Sequence, residues 1–184
     1  MVNNTITAPK GFLAAGLHCG VKKSGKPDLG LIICPTGVKA AAVFTTNKVV
    51  SAAVEICKKH VKSASVSAVV VNSGNANTCM GKQGLDNAIR MCGETAQQIE
   101  SKPDNVLVAS TGIIGERLPI KKITSGISKA VEKLSASPKA GLSFAKAIMT
   151  TDTRAKQAVR RLEISGAKVT IAGTVKGAGM IAPN

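Results

Sequence analysis

The chain has 184 residues, with 25 lysines and arginines against 10 aspartates and glutamates, a formal charge of +15 at pH 7. Apolar residues make up 44%, and no run approaches the roughly 20 that a membrane-spanning helix needs, which excludes wholesale disorder and a helical membrane protein. Trp and Tyr are absent and only Phe12, Phe44 and Phe144 are aromatic, so the core must be aliphatic and single-stranded nucleic acid would lack stacking platforms.

The first seventy residues read as strands. Leu29–Cys34 is an unbroken apolar run between Asp28 and Pro35, Val38–Thr45 is a second, and Val66–Val71 a third, the form expected of strands buried on both faces. Residues 53–61 predict a further strand, although the positions of Cys57 and His60 also fit a helix. Helices enter after Gly81. Leu85, Ala88, Ile89, Cys92, Ala96 and Ile99 recur at three-to-four spacing and place one apolar stripe on a long helix that Pro103 ends. Val106–Ala109 is a short strand running into Ser110-Thr111-Gly112. Pro119 occupies a helix first turn, followed by Ile120, Ile123, Ile127, Val131 and Leu134 on one face. A third helix spans roughly Ala140–Met149, and strands near Val159–Ile164 and Lys168–Val175 close the chain. The pattern is α/β or α+β, one domain over residues 1–184 with no linker or repeat. The last residues, Gly177 to Asn184, follow a strand with no terminal helix, which predicts that the fold continues in another segment.

The N-terminus is polar and shows no signal peptide. Cys19, Cys34, Cys57, Cys79 and Cys92 are an odd set without a Cys-x-x-Cys pair, which fits free buried thiols in a reducing compartment and a cytoplasmic location. Gly20-x-x-x-x-Gly25-Lys26 has the glycines of a phosphate loop, but Pro27 stands where a hydroxyl should hold magnesium, so a charged hairpin turn is expected. Gly177-x-Gly179-x-x-Ala182 lacks the following helix that a dinucleotide site requires. Cys57-x-x-His60 and His18-Cys19 do not make a zinc set, and no metal is expected.

Three polar clusters carry more chemistry. Ser110-Thr111-Gly112-Ile113-Ile114-Gly115 puts hydroxyls and glycine at a strand end, where backbone N–H groups can face an anion as in an oxyanion hole, or simply make a tight turn. Asn72-Ser73-Gly74-Asn75-Ala76-Asn77-Thr78 follows an apolar strand, and its amides can bind a polar substrate or brace the loops. Thr150-Thr151-Asp152-Thr153 offers hydroxyls and a carboxylate, or a helix-end cap. Lys176, closing the last strand, can hold a carboxylate as a point charge. None of these clusters pairs a nucleophile with a base, so an enzymatic site needs groups from elsewhere.

Taken jointly, six segments in order resemble the α chain of the self-cleaving ornithine acetyltransferase (glutamate N-acetyltransferase) family of arginine biosynthesis. They are Ala8-Pro9-Lys10-Gly11-Phe12, Ala42-Val43-Phe44-Thr45-Thr46-Asn47, Val71 to Asn77, Ser110 to Gly115, Ile148-Met149-Thr150-Thr151-Asp152-Thr153 and Lys176 to Asn184. The resemblance implies a precursor that cleaves itself before a threonine, which becomes the N-terminal nucleophile of a β chain. It implies a layered αββα sandwich of N-terminal-nucleophile type completed by that β chain, and a heterotetramer of two α and two β chains. It implies transfer of acetyl from N-acetylornithine to glutamate by a ping-pong route through acetyl-threonine, without a cofactor, some members also taking acetyl-CoA as donor. Carried over by position, Thr111 and Gly112 form the oxyanion hole, Thr150 (or the adjacent Thr151) and Lys176 bind the amino-acid substrate, and Asn75 and Asn77 brace the loop. A comparatively acidic β chain would then neutralise part of the +15 charge. Two other readings differ in kind: a related self-processing amidohydrolase or aminopeptidase, with water as acceptor, and a basic nucleic-acid-binding module.

Overall fold

A computed structural model describes residues 2–177 of the chain. The residues beyond 177, including the glycine-rich ending singled out above, lie outside the described residues. Strand β1 (Leu13–Leu17) pairs antiparallel with β2 (Leu29–Val38), and β2 pairs antiparallel with β3 (Val66–Asn75). Strand β4 (Val106–Ile113) lies parallel to β3, so the sheet order is β1-β2-β3-β4. A parallel pair needs a crossover, and helix α2 (Gly81–Gln98) with a 3-10 turn at Pro103–Asn105 supplies it. The charged Gly20–Lys26 stretch falls in the β1–β2 hairpin loop, as its composition predicts.

Side chains alternate across this sheet and so divide between two packing faces. Leu29, Leu31 and Ile33 of β2, Ala68 and Val70 of β3, and Val106 and Val108 of β4 face α1 (Ala52–His60), α2 and α3 (Ile120–Val131). Met91, Cys92, Ile123 and Ile127 complete that aliphatic core, each fully buried. On the opposite face Ala14 and Val71 meet Phe144 and Ile148 of the α4 region (Pro138–Ala147). Phe144 lies where a side chain at Gly30 would have to be, which lets α4 sit directly on the sheet. Ser137 caps α4 by accepting a 3.2 Å bond from the Ala140 N–H, with Pro138 in the first turn. Ile32 and Val69 on this second face stay half-buried, so the strands are not enclosed on both sides. Strands β5 (Lys156–Ile164) and β6 (Ala167–Val175) form a separate antiparallel ribbon with Leu162, Ile164 and Ile171 exposed.

Four sequence expectations are corrected. Residues 53–61 are not a strand: Ala52–His60 is helix α1, with Ala53 and Ile56 buried. Their three-residue spacing turns both toward the core, and Glu55 in the first turn and Lys58, Lys59 and His60 in the last match the helix dipole. The expected strand Val38–Thr45 stops at Val38, because β3 begins at its partner Val66 and offers no further edge; Val43 is 99% exposed. The thiols are all unpaired, but only Cys34 and Cys92 are fully buried and Cys79 is exposed. Pro119 stands one place ahead of α3, at its cap, rather than inside the first turn.

Candidate active site

Strands β3 and β4 run parallel and end together, with Ser73 opposite Thr111 and Gly74 opposite Gly112. The carboxyl ends of parallel strands are the usual place for a ligand crevice in α/β folds. The register slips at Gly74 and Asn75, so both backbones leave the ladder there. Gly112 has φ +147°, and a Cβ on it would overlap the Gly74 carbonyl and the Asn75 nitrogen. Glycine is therefore required, for the conformation and for the backbone approach together. Past the crossing, the Ala76 N–H donates to the Ile113 carbonyl at 2.9 Å and the Gly115 N–H to the Thr78 carbonyl at 3.2 Å. Thr111 is half-buried, and no other described side chain bonds its hydroxyl.

The asparagine cluster braces this turn. Asn72, buried, donates from Nδ2 to the Asn75 carbonyl at 2.9 Å and accepts from the Ser110 hydroxyl at 2.6 Å. Asn75 donates to the Glu116 carbonyl and accepts from the Asn77 N–H, while Asn77 donates to the Gly84 carbonyl at the start of α2. All three amide nitrogens are spent on backbone carbonyls, which favours bracing over substrate binding; the buried Asn77 Oδ1 alone has no described partner.

A second group of residues forms around Asp152. Its side chain is 1% exposed and accepts from Lys156 Nζ at 2.6 Å, the Gly177 N–H at 2.8 Å and the Thr150 N–H at 3.2 Å. Lys156 Nζ also donates to the Gly177 carbonyl at 2.9 Å. The hydrogen bond from Lys156, then those from Thr150 and Gly177, hold the Asp152 carboxyl down at about 2, against the pull of burial. This clamp joins the end of α4 to the end of β6 and so brings Thr150 and Lys176 to one place. The Thr150 N–H is engaged and its hydroxyl is free of described partners, whereas Thr151 is exposed. Burial lowers the Lys176 ammonium from its ordinary range; the Asp152 carboxylate pulls it back up and Lys156 pushes with burial.

Thr111 and Gly112 are linked to Thr150 and Lys176 through intermediaries. The Ser73 hydroxyl, buried opposite Thr111, donates to the Ala147 carbonyl at 2.5 Å. Lys22 lies against Gly74 and donates from Nζ to the Met149 and Pro27 carbonyls, each at 2.7 Å. Among the described residues no direct bond joins the two pairs. Sequence reasoning missed Lys22 and Lys156, named Ser73 only within the asparagine cluster, and left Asp152 between a binding carboxylate and a helix-end cap. The signal for the Asp152–Lys156 pair was its separation of four residues; nothing local marked Lys22.

The cysteines and histidines serve the fold. Cys57 donates from Sγ to the Val108 carbonyl at 3.1 Å and His60 from Nδ1 to the Val106 carbonyl at 2.8 Å, fastening α1 to β4. Burial, with Asp28 adding to it, pushes the Cys19 thiol up to about 12, and burial raises Cys57, so neither is a ready thiolate. The strand-end turn, the free hydroxyls and the half-buried ammonium form a set of donors able to meet an anion or a carbonyl oxygen. Among the described residues it has no activated nucleophile.

The ArgJ family model matches residues 13–184 of the chain. The chain belongs to the ArgJ family. Relatives in that family named arginine biosynthesis bifunctional protein ArgJ include one from a Synechocystis strain, 44% identical over 185 residues, covering 100% of this chain and 44% of the relative. Another, from Thermotoga neapolitana, is 46% identical over 180 residues, covering 96% of this chain and 44% of the relative. The chain thus spans about half the length of the curated relatives it matches. Two solved structures share its fold along the whole chain. The ArgJ of Bacillus halodurans superposes with a TM-score of 0.93 at 40% identity, covering 100% of this chain and 95% of that one. An ornithine acetyltransferase from Mycobacterium tuberculosis, solved with ornithine, gives 0.92 at 37% identity and 100% and 97% coverage. The mixed α/β architecture expected from the sequence is thereby that of the ArgJ structures.

Proposed function

We propose that this chain is the α chain of an ornithine acetyltransferase, moving acetyl from N-acetylornithine to glutamate in arginine biosynthesis, with a β chain completing the site. The observation that carries the reading is the match, over the whole chain, to the acetyltransferase solved with ornithine. A β-chain partner is supported by lengths: the curated relatives are more than twice as long, while the two solved chains match this one almost end to end. The half-covered second face of the sheet and the exposed β5–β6 ribbon are where a second sheet would close a layered αββα sandwich over residues 1–184. The assembly is then a heterotetramer of two α and two β chains. No described helix is long and apolar enough to cross a membrane.

The chemistry follows from what this half-site has and lacks. The β-chain N-terminal threonine supplies the nucleophilic oxygen, its own α-amine taking the proton. That oxygen attacks the acetyl carbonyl of N-acetylornithine, and the Thr111–Gly112 turn holds the negative charge that develops on the carbonyl oxygen. The C–N bond then breaks, the α-amine returns its proton to the departing ornithine nitrogen, and acetyl-threonine remains. Glutamate's amine attacks this ester, loses a proton to the same base and leaves as N-acetylglutamate, with the threonine regenerated. Lys176 pairs with the substrate carboxylate and Thr150 donates its hydroxyl beside it. No cofactor takes part, and acetyl-CoA acts as an alternative donor in the bifunctional form. The cytoplasm, where free thiols persist, is the expected location.

The test is acetyl transfer from N-acetylornithine to labelled glutamate by the full-length, self-processed protein. Parallel double-reciprocal plots are expected, and Thr111→Ala should lower kcat by roughly 10²–10³-fold, the usual effect of removing one oxyanion donor. Release of free acetate with no labelled N-acetylglutamate would replace the transferase by the amidohydrolase reading.

A further inference from the structure

A cleft of about 440 Å³ lies between the β1–β2 loop and helix α3, within the roughly 300–1,000 Å³ typical of small-ligand sites. Helix α3 presents Lys121, Ser125 and Lys129 at intervals of four, with Lys122 beside them, and the loop presents His18. Its geometry is fixed from below. A Cβ on Gly126 would meet the Cys19 side chain and Leu29, so only glycine lets α3 approach the loop this closely, and Ile123 and Ile127 anchor the helix in the core.

The charge in this cleft has no internal answer. Lys122 donates to the Gly20 carbonyl at 3.2 Å, and among the described residues neither Lys121 nor Lys129 is ion-paired. The nearby carboxylate, Asp28, is buried and occupied: it accepts from the Cys19 N–H at 2.6 Å and the Lys22 N–H at 2.8 Å, with His18 Nδ1 at 2.9 Å. Lys121 and Lys122 also stand in the first turn of α3, which holds no acidic residue. Cations there oppose the positive end of the helix dipole, so the fold gains nothing from them unless an anion is bound.

We propose that this cleft binds a compact phosphorylated anion of the diphosphate type, at a site separate from the half-site at the strand ends. Three ammonium groups on flexible stems suit phosphoryl oxygens, which take point-charge donors from several directions, whereas isolated carboxylates favour the planar fork of arginine, which this cleft lacks. Ser125, one turn on from Lys121, adds a hydroxyl donor.

Calorimetric titration of the full-length, self-processed protein with inorganic pyrophosphate tests this. Saturable binding at one site per α chain is expected, weakening as salt is raised. Lys121→Ser/Lys129→Ser should weaken it at least about tenfold, and Lys121→Glu alone should do so comparably. Lys58→Ser/Lys59→Ser, which removes equal charge from α1, should leave it within about twofold. Citrate, similar in charge but built of carboxylates, should bind several-fold more weakly. Absence of saturable binding, an equal loss in the Lys58/Lys59 variant, or citrate binding as tightly as pyrophosphate would each overturn the assignment.

Discussion

Gly112→Ala protein is expected to lose acetyl transfer by roughly 10²–10³-fold while remaining folded. The cause is local. At φ +147° an alanine is strained whatever the surrounding space, and here its Cβ would also press on the Gly74 carbonyl and the Asn75 nitrogen. Holding a non-glycine residue in such a conformation costs about 1–3 kcal/mol, which most domains survive. Relief requires the β3 and β4 ends to separate, and that displaces the Thr111 hydroxyl and the Gly112 N–H from the position of the developing oxyanion. Gly93→Ala in α2 serves as the control, since nothing lies within 4 Å of its Cβ position. An alanine there should be neutral or stabilise by up to about 1 kcal/mol, with activity unchanged. Urea unfolding and steady-state kinetics on the same two preparations separate strain from catalysis. Full activity in Gly112→Ala would remove the strand-end turn from the mechanism.

The second large effect belongs to Asp152. Its carboxylate gathers Lys156, Thr150 and Gly177, and replacing it by alanine leaves two backbone N–H groups and one ammonium without their acceptor. Charge-assisted bonds contribute about 1.5–3 kcal/mol each, but Lys156 is 33% exposed and water will take part of its share. A net loss of about 2–3 kcal/mol is expected from Asp152→Ala, and a smaller one from Asp152→Asn, which keeps one acceptor oxygen. KM for N-acetylornithine should rise in both variants, because Thr150 and Lys176 are positioned through this carboxylate. The pH dependence has a definite sign. The folded carboxyl sits at about 2 against an ordinary 3.8, so its contribution is complete above pH 4 and is lost as pH falls toward 2. The urea midpoint of the wild-type chain should drop across that window more steeply than that of Asp152→Asn. Parallel profiles would mean that the clamp contributes nothing.

Much of the scaffold was legible because its signals are local and repeated. The β-branched run at Val66–Val71 and the three-to-four spacing from Leu85 to Ile99 each name one element, and both formed. Helix α1 was misread because its nine residues hold only two buried positions, too few for a period to stand out against the surrounding strand runs. The Val38–Thr45 run is apolar enough for a strand, but a strand also needs an edge, and whether β3 reaches far enough to provide one is a tertiary fact. The same division holds at the site. Glycine at 112 beside a hydroxyl could be read from the sequence as a tight turn or as an oxyanion hole, and the family resemblance favours the second. What no sequence pattern carried is the joining of distant segments. Ser73 touches Ala147 and Lys22 touches Met149 across more than seventy and one hundred and twenty positions, and Asp152 meets Gly177 across 25. These bonds decide where Thr150 and Lys176 sit.

In the proposed reaction this chain supplies the oxyanion-holding half of a site whose nucleophile lies on a second chain. The most direct test of this division is intact-mass analysis of the full-length, self-processed protein, quenched after mixing with N-acetylornithine in the absence of glutamate. One acetyl group on the threonine-initiated second chain is expected, removed when glutamate is added and formed far more slowly in Thr111→Ala. An unmodified second chain, or acetyl on the chain described here, would contradict it.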